Sequence, residues 1–171
     1  MPKKTVDKAK RLLNGIQFDL ELAFDWNKDY YDNYYQYFSH PDREVRKWSL
    51  LVFVGALGNW HLGSACVFSQ IEGDKTYQFE DYVRSFIDHR VAIKQEFPLL
   101  YNRLLWYLLK LDNRKSFDTI FTSYFSYPSY VCPRKQLFND LRHILIESGI
   151  DTNKFPNNLE DILEEVGLTL S

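Results

Sequence analysis

Cysteine is nearly absent: the chain holds two, Cys66 and Cys132, far apart and without a neighbouring Cys or His at zinc-ligand spacing. That argues against a disulfide framework and against a zinc-binding module, and is consistent with reduced, structural thiols. Glycine is scarce, at 7 in 171 residues, and none of it forms a phosphate-cradling loop or a nucleophile elbow. There is no basic excess: the formal net charge is −2, so the electrostatic footprint of a duplex-gripping protein is missing. Nucleic acid is therefore not expected as a direct ligand. Long apolar runs are missing as well. The longest, Leu50 to Leu57, is far too short to cross a bilayer. The start, Met1-Pro2-Lys3-Lys4, leads into a charged helix rather than an apolar signal region, so a cytoplasmic location is expected.

Aromatics are abundant instead, at 17% of residues, with 12 Tyr, 13 Phe and 4 Trp. Large flat side chains fill cores, while tyrosine and tryptophan also offer contact area to partners at low entropic cost. Hydrophobic residues make up 45% and charged residues 26%, the balance of an ordinary globular protein. One domain spanning residues 1–171 is expected, large enough for its own core.

Helical periodicity dominates. Val6, Ala9, Leu12, Leu13, Ile16 and Leu20 recur at three-to-four spacing and predict a helix over Thr5–Ala23, with Gly15 inside it. Trp26, Tyr30, Tyr34 and Phe38 recur every fourth residue, which makes the next stretch helical too. Proline at a first helical position, with Asp42 and Glu44 in the first turn, predicts a helix over Pro41–Asn59. Its middle is apolar all round, so it is expected to be the buried centre of the fold. Further helices are predicted over Trp60–Ile71, Phe79–Phe97, Leu99–Leu111 and Ser116–Phe125, then a loop over Ser126–Cys132. A helix opened by Pro133 and closed by Gly149 follows, and a last short one capped by Asn157 or Asn158. No strand alternation is sustained. The expectation is an all-α single domain of seven or eight helices packed around the Pro41–Asn59 helix.

Pro41-Asp42-Arg43-Glu44-Val45-Arg46 resembles the start of the second helix of a HEAT-type repeat, although no second copy follows at a forty-residue period. Arg84 and His89 are separated as in the signature of the HEPN superfamily, to which this spacing is similar. The resemblance implies a dimeric, metal-independent ribonuclease in which His89 works on the ribose 2′-hydroxyl and Arg84 holds the scissile phosphate. Five residues subtend about 140° on a regular helix, so the two side chains would share a cleft only on an irregular one. The remaining histidines, His40, His61 and His143, form no metal set, and neither metal nor cofactor is expected.

The densest chemistry lies between Asp25 and Tyr37. Asp25, Asp29 and Asp32 alternate with Tyr30, Tyr31, Tyr34 and Tyr35, which suits recognition of a basic protein partner. The competing reading is a tyrosine-lined core with acids towards solvent. The resulting expectation is a non-enzymatic protein-binding domain of inhibitor or immunity type, covering a basic site on a toxin or nuclease. The alternatives are the ribonuclease and a helical scaffold or accessory protein.

Overall fold

The computed structural model describes residues 3–15, 34–61, 74–113 and 128–168. Among the described residues the chain forms six α-helices and one 3-10 turn, with no strand. These are α1 (Lys3–Leu13), the turn Tyr34–Tyr37, α2 (Arg43–His61), α3 (Asp74–Glu96), α4 (Pro98–Asn113), α5 (Pro128–Ser148) and α6 (Leu159–Glu165). The all-α class follows directly. The expected 116–125 helix, and the 60–71 helix beyond His61, lie outside the described residues.

Helix α1 buries the stripe Val6, Ala9, Leu12 and Leu13. It stops well short of the expected Ala23. Gly15 adopts φ +70°, a left-handed conformation that glycine reaches without strain, and its N–H donates to the Leu12 carbonyl at 3.0 Å. Gly15 is thus the terminator of α1 rather than an interior residue.

Helix α2 begins two residues later than its proline suggested. The Asp42 carboxylate accepts from the Glu44 N–H at 2.9 Å, and the His40 Nδ1 accepts from the Asp42 N–H at 3.0 Å. A side-chain cap fills the role assigned to Pro41. Every residue from Lys47 to Gly55 is buried, whichever way it points. The helix lies against α1, α4 and the 3-10 turn, as the central position expected of it requires. Lys47 is buried along its stem, and its Nζ reaches the exposed Glu44 carboxylate at 2.7 Å.

Helix α4 is equally central, which periodicity alone did not indicate. Arg103, Trp106 and Tyr107 are buried alongside Leu100, Tyr101, Leu104, Leu105 and Leu108. The helix touches α2, α3, α5 and α6. Aromatic rings stitch the elements together: Phe53 of α2 packs 5.6 Å from Phe38 and 5.1 Å from Tyr82 of α3. Phe86 of α3 stacks on Tyr101 of α4 at 5.6 Å. Much of the aromatic excess among the described residues is core.

Helix α5 starts at Pro128, inside the segment expected to be a loop. Proline at the first helical position loses no intrahelical bond, and Pro128 rather than Pro133 takes that position. Gly149 closes α5 at φ +66°, as expected. Asn158 caps α6 by accepting from the Asp161 N–H at 2.9 Å. Gly167 at φ +71° ends it, with Leu168 N–H donating to the Leu163 carbonyl at 2.8 Å and both leucines buried.

A single non-helical residue, Phe97, separates α3 from α4. Pro98 carries no N–H, and the next two donors, Leu99 and Leu100, go to the two carboxylate oxygens of Glu165, each at 2.9 Å. A residue some 65 positions downstream therefore caps α4. Arg46 grips Glu96 at the end of α3 through both oxygens, at 2.8 and 2.7 Å, while its third nitrogen donates to the carbonyls of His40 and Pro41. Arg43 donates to the Glu165 carbonyl at 3.0 Å and lies over the Phe97 ring at 4.8 Å.

Two outcomes follow. Glu165→Ala should cost about 1–2 kcal/mol, as loss of a helix cap does, whereas Glu164→Ala beside it should stay within about 0.5 kcal/mol. Urea unfolding of both variants checks this. The Arg46 hydrogen bond holds the Glu96 carboxyl below its ordinary 4.5, so its stabilisation is present above pH 4.5 and lost as pH falls through the lowered value. Glu165, raised by burial, acts in the opposite sense. Glu96→Gln should therefore flatten the acid limb of stability against pH relative to the unaltered chain.

Candidate functional site

Asp25, Asp29, Tyr30, Tyr31 and Asp32 lie outside the described residues. The end of their segment is described, and it is anchored. Tyr34 is 1% exposed and Phe38 is buried, so both belong to the core. The Tyr34 ring is thus not presented to a partner. Tyr35 is half-buried, edge-on to Tyr82 at 5.4 Å, and its carbonyl accepts from the Ser85 hydroxyl at 2.7 Å. The backbone here is a 3-10 turn rather than the α-helix its four-residue spacing implied.

Arg84 and His89 both lie on α3, a continuous α-helix through that stretch. Arg84 is exposed, while His89 is half-buried with its Nδ1–H donating to the Ser85 carbonyl at 2.9 Å. The regular backbone keeps the pair about 140° apart around the helix axis.

The most unusual polar group among the described residues is one that the sequence reading missed. Arg103 sits in the middle of α4 at 1% exposure. One terminal nitrogen donates to the Leu13 carbonyl and the other to the Asn157 carbonyl, each at 3.2 Å. The Tyr107 hydroxyl donates to the same Leu13 carbonyl at 3.1 Å. Leu13 is the last residue of α1, so one of the two carbonyls that the guanidinium meets is at the negative end of a helix. Phe155 covers it, with the ring centre 3.7 Å from the guanidinium carbon and 4.4 Å from Trp106. Burial lowers the Arg103 pKa and pushes Tyr107 up to about 12, an effect that the nearby guanidinium partly offsets. The available clue was a single basic residue inside the apolar stripe of α4, three after Leu100 and four before Tyr107.

Beside this cluster is an open depression of about 380 Å³, with Asn14, Arg103, Lys154, Phe155 and Asn157 in its lining. No three His, Cys, Asp or Glu side chains among the described residues come together as a metal site. No helix among them is long and apolar enough to cross a membrane.

These features define an all-α helical domain with an aromatic core and a buried, cationic polar cluster. Comparison with known protein families, curated proteins and solved structures finds no match for the chain.

Tyr107 makes a prediction of definite sign. Its pKa in the folded protein is about 12 against an ordinary 10.0, so its contribution is intact below pH 10 and lost as pH rises through 12. The full loss is about 3 kcal/mol, at roughly 1.4 kcal/mol per unit. Tyr107→Phe should cost about 1 kcal/mol at neutral pH through the missing hydrogen bond, yet be the more stable protein above about pH 11 by the same linkage. Denaturant unfolding of both chains between pH 7 and 12 measures the crossing.

Proposed function

We propose that this protein is a non-enzymatic, protein-binding helical domain of inhibitor or immunity type, whose partner presents a basic surface such as the substrate-binding face of a toxin or nuclease. The reading rests on one observation, the alternation of Asp25, Asp29 and Asp32 with Tyr30, Tyr31 and Tyr35 in a short stretch. Carboxylates give long-range attraction and orientation towards a cationic site, while tyrosines give rigid, amphipathic contact area. Anchoring favours this use. With Tyr34 in the core and the Tyr35 carbonyl held by Ser85, the described end of the stretch is fixed against α3, and a fixed contact residue costs less to immobilise on binding.

The test compares the full chain with a variant carrying Asp25→Asn, Asp29→Asn, Tyr31→Ala and Asp32→Asn, both immobilised and challenged with native lysate. Proteins retained by the unaltered chain should be basic, elute with rising salt, and be lost from the variant. Equal capture by both chains overturns the proposal.

A further inference from the structure

The cationic cluster on α4 is built from elements other than the Asp/Tyr segment, and it has its own unfilled chemistry. A buried guanidinium is normally matched by a carboxylate, because an uncompensated buried charge is costly. Arg103 makes no ion pair among the described residues. Its acceptors are two neutral carbonyls, and its Nε–H has none at all. Asn157 contributes a second buried polar atom without a partner, its side-chain oxygen. Both residues line the same depression, and Lys154, exposed at its rim, adds another cation. A structural staple joining α4 to the end of α1 and to the approach to α6 accounts for the two carbonyl contacts. It accounts for neither orphaned atom.

We infer that this depression is a binding site for a small oxyanion that also carries a hydroxyl group, a hydroxycarboxylate or a hydrogen phosphate. The oxyanion accepts from the Arg103 Nε–H and supplies the missing counter-charge. The hydroxyl donates to the Asn157 oxygen. Lys154 draws the anion in from the rim, and Pro156 and Leu159 give it an apolar wall. The volume lies within the range of small-molecule pockets. Both orphaned atoms are closed to solvent and the Phe155 ring lies over the guanidinium, so binding includes an outward swing of that ring. Phe155 is placed for such a movement: it lies on the non-helical stretch between α5 and α6 and is already 39% exposed.

The test follows the arginine Nε–H signals of the ¹⁵N-labelled full chain by NMR. Arg103 is identified by the signal missing from Arg103→Lys or, if that variant does not fold, by the ring-current change in Phe155→Leu. Inorganic phosphate and glycolate are titrated separately, with acetate and chloride as references at matched ionic strength. The Arg103 signal should shift saturably with phosphate, glycolate or both, which assigns the anion's chemistry. Acetate, lacking the hydroxyl, should bind more weakly, and Lys154→Ala should weaken binding roughly threefold. No saturable shift with either anion overturns the inference, and so does an equal shift with chloride.

Discussion

One residue joins α3 to α4, and the helix ends on either side of it are satisfied by groups from elsewhere in the chain. Glu96 ends α3, Pro98 opens α4, and Phe97 alone connects them. The Leu99 and Leu100 N–H groups meet the Glu165 carboxylate, supplied by the last described helix. The Glu96 carboxylate meets Arg46 from the start of α2. Arg43 joins the two acids, bonding the Glu165 carbonyl and lying 3.7 Å from Glu96. Four helix termini are thereby held at one polar junction. Exposed ion pairs contribute little to stability. A bidentate pair combined with a helix cap does more, because it removes the alternatives available to the termini.

That junction sets the geometry of the core. With α2, α3, α4 and α6 tied at one end, α2 and α4 lie side by side and are buried on nearly every face. The rings of Phe38, Phe53, Tyr82, Phe86 and Tyr101 then fill the space between the 3-10 turn and three helices. Placing two helices at the centre leaves little room for polar groups. Those that remain are either drawn out to an exposed partner, as Lys47 is to Glu44, or held on carbonyls, as Arg103 is.

Arg103 and Lys47 show how differently two buried cations are resolved. Lysine is a flexible stem, so Lys47 buries its methylenes and delivers its charge to a carboxylate one helical turn back. Arginine is a planar fork, so Arg103 spans the end of α1 and the approach to α6 at once, under an aromatic ring. The first arrangement is complete as it stands. The second leaves a donor and an acceptor unused beside an open depression, a combination with a chemical consequence.

The all-α class, the burial of the middle of the 41–59 helix, the Gly149 stop and the Asn158 cap were legible in the sequence, because each depends on local periodicity or on capping chemistry within a few residues. The same local logic misplaced the end of α1, since Gly15 stands at a position where the amphipathic stripe continues in the sequence and only its positive φ reveals a stop. It also misplaced the start of α5, because two prolines five residues apart are both competent openers. The centrality of α4, the role of Glu165 as a cap, and the burial of Tyr34 and Arg103 came only from the tertiary structure. Each depends on a partner tens of residues away: Glu165 on Leu99, Arg103 on Leu13, and Tyr34 on the core that α2 and α3 enclose. Periodicity identifies which residues share a face of a helix, but it carries no information about what lies opposite.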